Sequence, residues 1–313
     1  MTTYGLQIPN FTYGVPDEAM FDEVVARATA AEESGFSSVW VMDHFYQLPA
    51  LGGESQPMLE AYTLLGALAT VTSRVQLGTL VTGVTYRNPA MLAKIITTLD
   101  IISKGRAVLG IGAAWHDVEH DGLGFAFPPV KERMDRLEEA VQICRAMFRD
   151  EVSSFDGRYY QTRNARNLPR PVQAGGPPIM IGGGGEKRTL RLVAQYADMC
   201  NVTGDPDMIR HKVEVIRNHC ADVGRDASEI RITRMATMFL TNSAEETKQV
   251  VEFVTNAAGP EMVGSAQIGQ DDDIAAQVKE LVAAGVDELI FNMPLSDAAA
   301  VTRAGTLLGS AIG

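Results

Sequence analysis

The chain has 313 residues, 46% hydrophobic and 21% charged, and its 27 basic residues against 39 acidic ones give a formal net charge of −12. That is enough apolar material for a sizeable core; an acidic chain gains nothing from phosphate backbones, so no nucleic-acid partner is expected. With no apolar run approaching about 20 residues, no membrane helix is expected either.

Cys144, Cys200 and Cys220 are far apart and odd in number, which speaks against a disulfide framework or a zinc site. The first residues carry no basic stretch followed by an apolar run, so the expected location is the cytoplasm. Residues 4–8 read as a first strand, stopped by Pro9-Asn10. Pro16 opens a helix with Asp17 and Glu18 in its first turn, where the helix dipole favours acids. Met20, Val24, Ala28 and Ala31 recur at helical spacing, and Gly35 closes the segment. A strand over 38–42, a helix over about 58–71 and a strand over 75–81 come next. A helix over about 89–102 and the turn Ser103-Lys104-Gly105 lead to a strand over 107–111. Leu137, Val141, Cys144 and Phe148 mark one face of a helix over about 132–149, which makes Cys144 a core residue. Strands over 179–182, 199–202 and 231–240 alternate with helices over about 191–196 and 208–220. Helices over about 244–255 and 274–283 precede the last strand, 288–293; the run Asp271-Asp272-Asp273 reads as the N-terminal region of the second.

Eight strands alternate with helices, and several are unbroken Val, Ile, Leu and Met runs, as strands buried on both faces require. The pattern predicts an α/β fold with a single (β/α)8 TIM barrel over residues 1–313. A doubly wound sheet would want a Gly-x-Gly-x-x-Gly turn after the first strand, where Ile8-Pro9-Asn10-Phe11 stands. Residues 43–56 and 161–178, the latter after a small hairpin at 155–160, exceed ordinary loop lengths and are expected to be insertion loops at the C-terminal face.

In such a barrel the chemistry lies where the strands end. The second strand ends at Asp43-His44, the third at Leu80-Val81-Thr82-Gly83, the fourth at Gly110-Ile111-Gly112-Ala113-Ala114-Trp115, and the fifth at Gly182-Gly183-Gly184-Gly185. Four glycines ahead of a helix let the backbone close on an anion with free N–H groups, a phosphate site, although a merely flexible turn has the same composition. Lys187 and Arg188 either assist an anion there or are solvated. His44, beside Asp43, is able to give or take a proton near neutrality. His116 and His120 are four apart with Asp117 and Glu119 nearby, yet no third ligand is apparent. A solvated loop or short helix is expected there, and no metal. Trp115 reads equally as a core aromatic or as a wall of a cofactor pocket.

In order and spacing, Val41-Met42-Asp43-His44-Phe45, Gly78-Thr79-Leu80-Val81, Tyr86-Arg87-Asn88-Pro89, Gly110 to Trp115, Phe127-Pro128-Pro129 and Ile181 to Gly185 resemble the luciferase-like monooxygenase superfamily. The resemblance covers nearly the whole chain. It is closest to the actinobacterial branch of coenzyme F420-dependent oxidoreductases. It implies a homodimer that binds a small-molecule substrate and carries its cofactor at the C-terminal strand ends. Asp43 and His44 would lie beside the deazaflavin ring, with His44 catalytic and oriented by Asp43. Leu80-Val81 would form a non-proline cis bulge behind the ring, with Thr82, Gly112 and Trp115 also at the cofactor. Gly182, Gly183, Gly184 and Gly185 would hold its phosphate. There are two departures. Trp115 stands where the F420-dependent sugar-phosphate dehydrogenases carry an acid, which counts against glucose 6-phosphate. Ala114 replaces a usual glycine. The implied activity is hydride transfer between F420 and a small, apolar organic substrate. Tyr46, Leu48, Leu51, Phe125 and Phe127 would line its pocket or else pack the loops down. The alternatives are an FMN-dependent monooxygenase and a non-catalytic flavin-binding barrel.

Overall fold

The computed structural model describes residues 2–312. Eight parallel strands form the barrel: β1 (Thr3–Ile8), β2 (Ser38–Val41), β3 (Gln76–Thr79), β4 (Ala107–Gly112), β5 (Ile179–Gly182), β6 (Met199–Val202), β7 (Arg231–Leu240) and β8 (Glu288–Asn292). Each pairs with the next, and β8 pairs with β1 in the register Thr3↔Glu288, so the sheet closes. This is the expected (β/α)8 barrel, with all eight strands where the apolar runs placed them.

Closure forces every strand to bury both faces, and the side-chain alternation sorts them. Val39, Val41, Leu77, Leu109, Ile111, Ile179 and Ile181 point outward into the core shared with the helices. Trp40, Val108, Met180, Met199 and Ile290 point inward and fill the barrel. Trp40 is the largest plug, and Gly5 and Gly78 make room for it: a Cβ at Gly78 would lie 2.6 Å from the indole ring. Below it, Trp40 Nε1 donates to Ser38 Oγ at 2.7 Å, and Ser38 Oγ donates to the buried Glu288 at 2.5 Å. Arg231 lies 3.4 Å from that carboxylate. The N-terminal end is therefore sealed, which leaves the C-terminal end for ligands.

The helices are α1 (Met20–Glu33), α2 (Ala61–Val71), α3 (Pro89–Ile102), α4 (Asp117–Leu123), α5 (Val130–Arg149), α6 (Thr189–Tyr196), α7 (Pro206–Val223), α8 (Ala244–Ala258), α9 (Pro260–Ser265), α10 (Asp271–Ala283) and α11 (Ala298–Ile312). On α5, Leu137, Val141, Cys144 and Phe148 are all buried, as their spacing predicts. The acidic run does start α10, where Gln270 and Asp273 form a reciprocal cap. Pro16 starts only a 3-10 turn, Asp17–Ala19, ahead of α1. The hairpin is wider than expected, Ser153–Asp156 against Gln161–Ala165, so it takes the first residues of the supposed second loop. Three elements are additional to those expected: α9, a side strand Gln267–Gly269 on the end of β7, and α11. The last packs against α1 at a close crossing, where a Cβ on Gly305 would overlap Ser34. Among the described residues no helix is long and apolar enough to cross a membrane.

Gly110 is the tightest inner position of β4, because an added Cβ would overlap the Thr79 carbonyl oxygen, a backbone atom that cannot swing aside. Gly110→Ala should therefore lower stability by about 2 kcal/mol or more, read as a shifted denaturant midpoint. A midpoint unchanged from wild type would contradict this packing.

Candidate active site

The mouth is shaped by one irregularity. After Thr79 the Leu80–Val81 peptide is cis, and the chain resumes as Thr82–Gly83 paired with Ile111 and Gly112 of β4. The Leu80 carbonyl accepts from Gln7 Nε2 at 3.2 Å, and Gln7 Oε1 accepts from Asn292 Nδ2 at 3.1 Å, a chain of amides across the floor. Val81 lies over two glycines: a Cβ at Gly112 would meet it at 2.9 Å and one at Gly182 at 3.0 Å. These positions are glycine because Val81 occupies the space. Gly112 is buried beneath it and seats the bulge.

Asp43 and His44 diverge. Asp43 is 1% exposed, and Arg87 grips it with two bonds of 2.6 and 3.1 Å while also reaching Glu60 at 2.7 Å. Burial pushes the Asp43 carboxyl above its usual range, against the pull of Arg87 and Thr82. Thr82 is fully buried, and its hydroxyl bonds Tyr62 and, at 2.9 Å, Thr79. Both Asp43 and Thr82 therefore brace the mouth from behind, and neither side chain is open to a ligand.

His44 is not oriented by Asp43. Its Nδ1 bonds Glu119 Oε1 at 2.7 Å. Glu119 is fully buried on α4 and also accepts from the Tyr86 hydroxyl and from the backbone N–H groups of Phe45 at 2.7 Å and Tyr46 at 3.3 Å. Burial raises this carboxyl, but the bonds from His44, Tyr86 and Phe45 outweigh it and hold the group down to about 2. Tyr86 is correspondingly raised well above its ordinary range by burial and by Glu119, so it stays a donor. Facing an ionised carboxylate, His44 Nδ1 carries the proton, which leaves Nε2 as the free nitrogen of the ring. Sequence reading missed Glu119, Tyr86 and Arg87 as site residues. Two signals were available: a carboxylate a few residues beyond the fourth strand, and the Tyr86-Arg87 pair inside a segment that carries the resemblance.

At the end of β5 the glycine run bends outward, with Gly183 at φ +124° and its N–H on the Asn201 carbonyl at 3.1 Å. Among the described residues, the N–H groups of Gly184 and Gly185 have no protein acceptor. Gly183 and Gly185 are exposed, and a Cβ at Gly184 would meet only Lys212, at 3.8 Å. Such a side-chain-free strip with free donors fits a phosphate. The helix does not follow directly, since α6 starts at Thr189 after a turn. Arg188 is spent on Asp135 at 2.6 Å, whereas Lys187 is exposed.

The segment is a short helix, α4, one of the two forms expected, but His116 and His120 are buried rather than solvated. His120 is fully buried between the His116 carbonyl at 2.6 Å and the Thr85 hydroxyl at 2.7 Å, and His116 is 6% exposed. Among the described residues no cluster of three or more candidate metal ligands occurs. Trp115 is 62% exposed, so it is no core aromatic; its ring stands edge-to-face to His44 at 5.7 Å. The loop aromatics pack on one another: Phe125 meets Phe45 at 5.5 Å, Phe127 meets His120 at 4.6 Å, and Tyr46 abuts Gly122. Ala114 sits at φ +60°, which explains why a glycine is usual there.

A closed parallel barrel with a histidine and an N–H cradle at its C-terminal mouth defines a cofactor-binding (β/α)8 enzyme scaffold. The family model for luciferase-like monooxygenase matches residues 3–260, and the chain belongs to that family. An F420-dependent glucose-6-phosphate dehydrogenase of Kineococcus radiotolerans is 39% identical over 159 residues, 50% of this chain and 45% of that one. The chain thus spans about half the length of several curated relatives it matches, among them also that of Amycolatopsis mediterranei. The enzyme of the same name from Nocardia farcinica is 29% identical over 88% of this chain and 89% of its own. Among solved structures, an F420-dependent secondary alcohol dehydrogenase in complex with an F420–acetone adduct superposes with a TM-score of 0.86 at 19% identity, covering 100% of this chain and 99% of the other. A monooxygenase from Streptomyces bottropensis gives 0.81 at 20% identity, covering 99% and 98%. At these identities the superpositions show the fold.

Two outcomes follow. Because the Glu119 carboxyl is held below its ordinary 4.5, at about 2, its stabilisation is complete above about pH 4.5 and is lost as pH falls through about 2. Glu119→Gln should cost about 2–3 kcal/mol near neutrality, and its gap from wild type should shrink as pH is lowered through that window; a gap constant with pH would contradict the assignment. Ala114→Gly should raise stability by about 1 kcal/mol by relieving the left-handed residue, and a loss in denaturant titration would show that the methyl packs favourably instead.

Proposed function

We propose that this protein is an F420-dependent oxidoreductase acting on a small organic substrate at the C-terminal mouth of the barrel. The observation that carries the reading is His44, tied at Nδ1 to a buried, ionised Glu119 and so presenting Nε2 as its free nitrogen. The glycine run supports it as the place for the cofactor's phosphate, with Gly184 and Gly185 offering backbone donors and Leu80 and Val81 backing the ring. The names of the relatives support F420 over other flavins. When bound in its reduced form, F420 supplies a hydride from ring carbon C5.

The chain's own residues do the rest. His44 delivers or removes the matching proton through Nε2. Glu119 fixes the ring's tautomer and orientation, while Arg87 and Asp43 brace the loop that carries it. Trp115 offers an exposed apolar face beside His44, which suits an apolar or planar substrate. The loop aromatics Tyr46, Phe125 and Phe127 pack on neighbouring residues of the mouth, one of the two roles expected of them.

His44→Ala should lower turnover by about 10²–10⁴-fold while leaving F420 affinity within a few-fold. The assay is F420 absorbance with a panel containing a secondary alcohol, glucose 6-phosphate and, in the reductive direction, an activated enone. Turnover equal to wild type would remove His44 from the chemistry.

A further inference from the structure

One enclosed titratable group at the mouth has no part in the scheme above. His116 Nε2 is buried and has no hydrogen-bond partner, a state that costs stability unless something uses it. Its backbone is fixed, because its carbonyl accepts His120 Nδ1–H at 2.6 Å and His120 Nε2 accepts from Thr85 at 2.7 Å. The rings packed on it are His44, 5.7 Å away and nearly perpendicular at 84°, and Trp115, 5.1 Å away. A nitrogen so enclosed does not meet ligand from solvent; it exchanges only with what touches it. Of those two rings, only the imidazole both gives and takes a proton.

We propose that His116 is a proton-relay partner of His44, resupplying through Nε2 the proton that His44 delivers at the mouth. The inference rests on the reading of His44 given above. Once His44 has released its Nε2 proton, the ring is neutral and Nδ1–H remains on Glu119. His116 then gives its Nε2 proton to His44 Nε2 after a small ring rotation while taking one from water at Nδ1, and a flip of the His116 ring returns the N–H to the side facing His44 for the next turnover. Each step breaks one bond to hydrogen and makes one, with no change of oxidation state. The other charged and titratable groups around the pair are Glu119 and His120 on α4, Asp117 beside His116, and Tyr86 across the Glu119 carboxylate. Glu119 is ionised and Tyr86 neutral throughout, so neither competes for the moving proton.

The test is nitrogen-15 NMR of the histidine side chains of the intact protein across pH, in wild type, His44→Gln and His116→Gln. In wild type the His44 and His116 ring nitrogens should change protonation state together, and the coupling should vanish from His116 in His44→Gln. In turnover with whichever panel substrate reacts, His116→Gln should lower kcat tenfold or more with KM unchanged and a larger solvent deuterium effect, and free imidazole should restore His116→Gly. Independent protonation of the two rings, or kcat within twofold of wild type with an unchanged isotope effect, would overturn the relay and leave His116 as a packing residue. If no panel substrate reacts, the reading of His44 falls, while the NMR coupling still decides whether the two rings share a proton.

Discussion

The mouth of this barrel hangs on one buried carboxylate. Glu119 has four donors on its two oxygens, which fills the acceptor capacity of a carboxylate. The donors come from two separate stretches of the site, one after β2 and one ahead of α3. His44 is the histidine at the mouth, Phe45 and Tyr46 begin the long loop after β2, and Tyr86 lies ahead of α3. A charge buried with full hydrogen bonding is tolerated, and removing one partner leaves the rest unsatisfied. The interaction therefore couples α4, the β2 loop and the approach to α3 into one rigid unit around the imidazole.

Beneath that unit, glycines set the depth of the site. Gly5 and Gly78 admit Trp40, which closes the barrel from below; Gly112 and Gly182 admit Val81, which closes it from above. Interior volume is thus filled to a definite level, and the amide chain from Asn292 through Gln7 to Leu80 finishes the floor. A planar cofactor resting there would lie on Leu80 and Val81, with its phosphate toward Gly184 and Gly185. The second braced acid, Asp43, stabilises the loop through Arg87, so the adjacent aspartate and histidine do separate jobs.

How much of this was legible follows from the range of each interaction. Strand runs and helix faces are local, so all eight strands and the α5 face were readable. The hairpin and the start of α1 moved by a few residues, because turn chemistry at Pro16 and Asp156-Gly157 admits more than one boundary. α11 was legible and was passed over, since its buried residues Val301, Ala304, Gly305 and Leu308 fall at helical spacing; the three-residue side strand on β7 owes its existence to tertiary packing and left little local trace. At the site, the glycine run and His44 could be picked out because strand ends announce themselves. The partner of His44 could not: Glu119 is 75 residues away, and the nearer Asp43 was the natural but mistaken choice. The histidines of α4 looked solvated because charged neighbours surround them in sequence, whereas the fold turns His116 and His120 inward and Asp117 out.

Family membership, a braced histidine and a bare N–H cradle together make F420 the ligand on which the account depends. The most direct measurement is a side-by-side titration of the purified protein with F420 and FMN, followed by cofactor fluorescence. The account predicts saturable F420 binding at least tenfold tighter than FMN. Equal or tighter FMN binding would contradict the cofactor assignment and favour oxygen chemistry, and binding of neither would contradict the placement of the phosphate at Gly184 and Gly185.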